Sequence, residues 1–167
     1  CIAWGGAVKL SPADDIIIGV ERVLDVDAVG QLVASVLSKK IAAGTTHLVI
    51  DIPVGPTAKV RSAAAANVLD AALSAVAAAF GLQTRVMCGD GSEPIGRGIG
   101  PALEALDILA VLRGEPGVED LAHRACELAG GLFELAGLAP PGAGFARALA
   151  TLESGRAWTK FERICEA

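Results

Sequence analysis

The chain has no tyrosine, and its few phenylalanines and tryptophans bring aromatics to only 4% of residues. Any core must therefore be built from Ala, Val, Leu and Ile, in which the sequence is rich. Histidine is scarcer still, at two, and the four cysteines (Cys1, Cys88, Cys126, Cys165) lie far apart with no Cys-x-x-Cys spacing. That argues against a zinc site or a disulfide scaffold and for reduced thiols in a cytoplasm. No run reaches the roughly 18 uncharged apolar residues of a membrane span. Residues 63–80 come closest, and Asn67 and Asp70 interrupt them. The formal charge is −5 with both signs scattered. No basic patch awaits a nucleic-acid backbone, and no polybasic segment a membrane. Internal repeats and low-complexity linkers are missing too.

What is there suffices for one packed domain: 167 residues, 53% of them hydrophobic, can bury a real core. The chain opens on an apolar Cys-Ile-Ala-Trp run, a short strand by its pattern, and a fragment of a longer protein is expected. Residues 10–15 read as a turn, with Pro12 fixing φ and the acidic pair Asp14-Asp15 exposed; residues 16–20 read as a strand or extended segment. A helix is expected over 31–44, with Leu32, Val33, Val36, Leu37 and Ile41 at helical spacing, Gly44 at its C-cap and Asp27 placed to cap its start. A buried strand follows at 48–52, ended by Pro53 and Gly55. Then come an Ala-rich helix at 60–80, closed by Gly81, and a strand at 84–88. This order predicts right-handed βαβ units: an α/β fold with a mixed, mostly parallel sheet flanked by helices. Further helices are expected at 102–113, at 118–138 with Leu121, Ala125, Leu128, Leu132 and Leu135 on its apolar face, and at 143–152 and 157–164.

Two stretches carry chemistry. Ser35 and Lys39, four apart, project from one helix face as neighbours. A hydroxyl beside an ammonium can grip a carbonyl or a phosphate oxygen, and the spacing does not say which. The second is the run from Cys88 to Pro101, with five glycines (89, 91, 96, 98, 100). It follows a strand and so belongs with the loop at 53–59 in the crevice at the carboxyl ends of a parallel sheet. It lacks both G-x-G-x-x-G and Gly-Lys-Ser/Thr, which counts against a dinucleotide or P-loop site.

Taken together, Ala34-Ser-Val-Leu-Ser-Lys-Lys40, Val49-Ile-Asp-Ile-Pro-Val-Gly55 and Gly96-x-Gly-x-Gly-Pro-Ala-Leu-Glu104 form a pattern. The chain resembles the thymidine/pyrimidine-nucleoside phosphorylase family, in the branch that holds archaeal AMP phosphorylases and bacterial thymidine phosphorylase-like proteins. The resemblance covers essentially all of the chain. It implies the central part of a homodimeric, cytoplasmic pentosyltransferase, with residues 14–44 assigned in part to a small helical domain. Inorganic phosphate is the co-substrate, attacking C1′ of a nucleoside so that the base leaves. The resemblance places Ser35 and Lys39 on the base, makes Asp27 the proton donor and puts Lys59 on the nucleotide. No organic cofactor is implied. A monovalent cation, where present, would sit on the carbonyls of Ile95 and Gly98 and on Asp107. The family's phosphate signature normally lies upstream of residue 1, so this chain alone is expected to be inactive. Thymidine is the expected substrate. The alternatives are AMP, yielding adenine and ribose 1,5-bisphosphate, and a non-catalytic nucleotide-binding module of the same fold.

Overall fold

The run from His47 to Val54 alternates its burial, and that alternation organises the molecule. The computed structural model describes residues 12–24 and 28–166. Among them, strands β1 (His47–Val54) and β2 (Gln83–Asp90) pair in parallel, from His47 opposite Gln83 to Val54 opposite Asp90. Successive side chains point to opposite faces of a strand. Leu48, Ile50 and Ile52 are all buried on one face, where helices α2 (Val29–Ala42) and α3 (Ala63–Ala79) cover them. Helix α3 buries Ala66, Leu69, Leu73 and Ala77, and α2 adds Val33 and Leu37 to the same aliphatic cluster. The β1–α3–β2 crossover is thus the expected βαβ unit. Helix α3 starts three residues later than its apolar pattern predicts. Ser62 caps it by accepting the Ala65 N–H at 3.2 Å, while Val60 pairs with Val54.

Asp51, Arg85 and Met87 occupy the opposite face, against α5 (Glu119–Leu135). Here the sequence pattern misleads. Ala125 and Leu132, expected on the apolar face of this helix, are exposed, and its buried residues are Cys126, Gly130 and Gly131. The reason is close approach on two sides. A Cβ at Gly131 would stand 2.7 Å from Met87 Sδ of β2, and one at Gly130 2.5 Å from the Phe145 nitrogen of α6 (Gly144–Glu153). Glycine lets α5 lie flat between the sheet and α6 where leucine would hold them apart. The helix also ends earlier than expected, at a turn where Gly137 takes φ +67°. Helices α4 (Pro101–Arg113) and α7 (Arg156–Glu166) complete the chain. A smaller cluster of Ala110, Val111 and Val118 joins this end, and the Arg113 guanidinium lies 4.8 Å from the Trp158 ring centroid.

A second correction concerns residues 10–20. Residues 12–24 form one helix, α1 (Pro12–Leu24), in place of a turn and a strand. Proline suits a first helical turn, and Ile16, Val20 and Val23 follow helical spacing. The β-branched run at 16–18 suggested a strand, but Asp14 is tied to α2 and gives a helix its tertiary anchor. Asp14 is consequently buried, not exposed. The N-cap of α2 is Ala28, with no side-chain cap. Asp27 and the strand expected at 1–4 lie outside the described residues. Among those described, no helix is long and apolar enough to cross a membrane.

Candidate functional site

Helix α2 carries Gln31, Ser35 and Lys39 at successive intervals of four, so the three polar side chains form one stripe. All three reach Asp14 of α1. Ser35 Oγ donates to Asp14 Oδ2 at 2.9 Å, the Lys39 ammonium donates to the same oxygen, and Gln31 Nε2 approaches Oδ1 at 3.5 Å. Asp14 is only 5% exposed, whereas the Lys39 side chain keeps 30% of its surface. Burial alone would raise the Asp14 carboxyl, but the hydrogen bonds from Lys39 and Ser35, with the Lys39 charge, hold it below its ordinary value. A fixed carboxylate, a hydroxyl and a partly open ammonium thus stand together.

The loops beyond the carboxyl ends of β1 and β2 lock onto each other. A Cβ at Gly55 would fall 2.4 Å from the Gly91 carbonyl carbon, and Gly91 N–H donates to Val54 O at 2.9 Å. Lys59 is exposed on the first of these loops, next to Val60. An open cleft of about 720 Å³ lies here, lined in part by Asp51, Cys88, Asp90, Ile95, His123 and Arg124. On its floor Arg124 binds Asp51 and donates to Glu127 at 2.8 Å, while His123 packs against Phe145 with ring centroids 4.9 Å apart. Ser35, Lys39 and Lys59 do not line this cleft.

The glycine-rich loop spends its amides on the chain's own carboxylates. Asp107 Oδ2 accepts from Arg97 N–H at 2.6 Å and Gly98 N–H at 2.7 Å, Asp120 from Gly96 N–H at 2.8 Å, and Glu104 from Gly100 N–H at 2.9 Å. These donors are aimed at α4 and α5, so the loop is a helix-packing turn and not a phosphate cradle. The backbone bonds from Gly98 and Arg97 hold the Asp107 carboxyl below its ordinary value, and those from Gly96 and Leu121 do the same for Asp120. A carboxyl whose folded pKa is depressed contributes stability above its unfolded pKa and loses it as pH falls through the folded one. Stability is therefore expected to decline as pH drops below the unfolded value of 3.8. Urea denaturation across that range should show a shallower acid limb for Asp107→Asn.

For the implied monovalent cation, Asp107 Oδ1 is the oxygen left over, with Arg97 Nε 3.5 Å away on a side chain 60% exposed. An alkali cation takes oxygen donors, and Asp107 Oδ1 is one, with the Arg97 guanidinium as its neighbour. Gly98 is adjacent to Asp107, and Ile95 lines the cleft.

The structure therefore unites Ser35 with Lys39 and Gly98 with Asp107, and leaves Asp27 outside the described residues. Sequence reasoning missed Asp14 and Arg124. The signal for Asp14 was present: three hydrogen-bond donors on one helix stripe call for a shared acceptor. Arg124 offered none, since its partner Asp51 is 73 residues away.

The chain is related along its whole length to curated proteins named "Putative thymidine phosphorylase". It is 72% identical over 167 residues to one from Sphingopyxis alaskensis, covering 32% of that protein. It is 61% identical over 168 residues to one from Parvibaculum lavamentivorans and 62% identical over 168 residues to one from Chelativorans sp., covering 33% of each. The chain thus spans about a third of the length of the relatives it matches, and the resemblance read from its motifs, that of a fragment of such a protein, is borne out. No family model matches it.

Proposed function

We propose that this chain, matching from end to end a third of proteins that carry the thymidine phosphorylase name, is the base-binding part of a pentosyltransferase. Its parent releases thymine from thymidine by phosphorolysis. The observation that carries the reading is the pairing of Ser35 and Lys39 on one carboxylate, which holds a neutral polar group and a cation side by side. When phosphate attacks C1′, the C1′–N bond breaks and its electron pair goes to the base. The Lys39 ammonium, beside a carbonyl oxygen of the base, stabilises that charge as it develops. Asp27 protonates the departing base by general acid catalysis. Lys59 meets an anionic group of the substrate as a point charge. Asp107, with the carbonyls of Ile95 and Gly98, would hold a monovalent cation, whose charge would brace the loop before α4. The phosphate site belongs to the rest of the parent, a homodimer, and these 167 residues alone do not turn over.

The test is phosphate-dependent base release by the full-length protein from thymidine, uridine and AMP in parallel. Thymine release supports the reading. Release of adenine alone, or of no base, overturns it.

A further inference from the structure

Asp14 is a buried carboxylate that the mechanism above leaves idle, although both base-facing side chains bind it. Among the described residues its donors, Gln31, Ser35 and Lys39, all come from one stripe of α2, and Ser35 and Lys39 share a single oxygen, Oδ2. A serine hydroxyl has one proton and two lone pairs, and a lysine ammonium has three protons and no lone pair. Ser35 gives its only proton to Asp14 at 2.9 Å. Toward any ligand its oxygen can then only accept. Lys39 gives one proton to Asp14 and keeps two to donate.

We propose that Asp14 is a positioning residue that fixes the hydrogen-bonding polarity of the base site: acceptor at Ser35, donor at Lys39. The inference rests on the reading that these two side chains meet the base. The complementary ligand edge carries an N–H beside a carbonyl, as in the imide of an uncharged pyrimidine-dione. A ligand whose imide nitrogen is methylated leaves the Ser35 lone pair unmatched, and a site built around such a hydrogen bond rejects it strongly. With the Asp14 acceptor removed, as in Asp14→Ala, the hydroxyl regains its freedom to donate and the ammonium loses its anchor, whereas Asn would keep an amide oxygen that still accepts from Ser35.

The experiment compares thymidine with N3-methylthymidine in the full-length protein, as wild type, Asp14→Ala, Ser35→Ala and the double variant. Wild type should prefer thymidine by about 100-fold or more in kcat/KM. Asp14→Ala should lower kcat/KM for thymidine by about 30-fold and shrink that preference at least about tenfold. Because Asp14 acts on selectivity through Ser35, the two substitutions should not add in the preference ratio. A purely structural aspartate would leave the ratio unchanged, whatever its removal does to Tm. A wild type that prefers thymidine no more than its methylated analogue overturns the inference while phosphorolysis itself stands. So does Asp14→Ala with an unchanged ratio, or full additivity with Ser35→Ala. If Asp14→Ala is insoluble, Asp14→Leu, which fills the buried space without an acceptor, takes its place: a reduced preference supports the proposal and an unchanged one overturns it. A wild type that releases no base removes both the functional reading and this one.

Discussion

Lys39→Ala in the full-length protein is expected to lower kcat/KM for thymidine phosphorolysis by about 100- to 1,000-fold, the usual cost of removing a group that stabilises transition-state charge. The fall should lie mainly in kcat, because charge reaches the base only as the glycosidic bond breaks. The substitution also strips Asp14 of its ion-pair partner. Abandoning a fully buried charge costs about 3–5 kcal/mol, whereas exposed pairs contribute about 1 kcal/mol or less. With Lys39 at 30% exposure and Ser35 and Gln31 still on the carboxylate, the cost falls between the two. Steady-state kinetics on protein shown to be folded by circular dichroism separates the effects. Activity within about threefold of wild type would place Lys39 away from the chemistry.

Gly130→Val is the second substitution with a large expected effect, and it concerns stability. The new Cβ would stand 2.5 Å from the Phe145 nitrogen and 2.6 Å from the Gly144 carbonyl carbon. Both are backbone atoms of α6, so no side chain can swing aside. Gly144 in turn would place a Cβ 2.2 Å from the Gly130 oxygen, which makes the crossing tight from both sides. Glu134 holds the same corner, accepting from Gly142 and Gly144 at 2.9 and 3.0 Å while its other oxygen binds Arg85 of β2. Overpacking of this kind costs about 1–3 kcal/mol, and a β-branched residue against backbone belongs at the upper limit. Urea denaturation of the 167-residue chain should show a midpoint well below wild type. An unchanged midpoint would mean that α5 and α6 are not packed this closely.

Both predictions turn on side chains, or their absence, that face something distant in sequence. Local patterning was otherwise a reliable guide. The apolar run at 48–52 and the strand at 84–88 lie within β1 and β2, and α3 takes up residues 63–79 of the Ala-rich stretch expected at 60–80, because alternation, helical spacing and glycine stops are short-range consequences of backbone geometry. The parallel pairing followed from the length of the crossover. Legibility failed in two places. Residues 16–20, β-branched apart from Gly19, read as a strand or extended segment, yet they are helical, with Asp14, a few residues before them, held by α2. In α5 the buried face belongs to Cys126, Gly130 and Gly131 instead of its leucines, since what a helix buries depends on how closely its neighbours come.

From the sequence alone came the α/β class, the order of its elements from α2 onward and the pairing of Ser35 with Lys39 on one helix face, all set by interactions within a few residues along the chain. Only the tertiary structure decided that this pair shares a buried carboxylate, and that the glycine-rich loop turns its amides inward to Asp107 and Asp120. Those outcomes depend on acceptors 9 to 25 positions away from their donors, and a hydrogen bond across such a span exists only once packing has brought its two ends together.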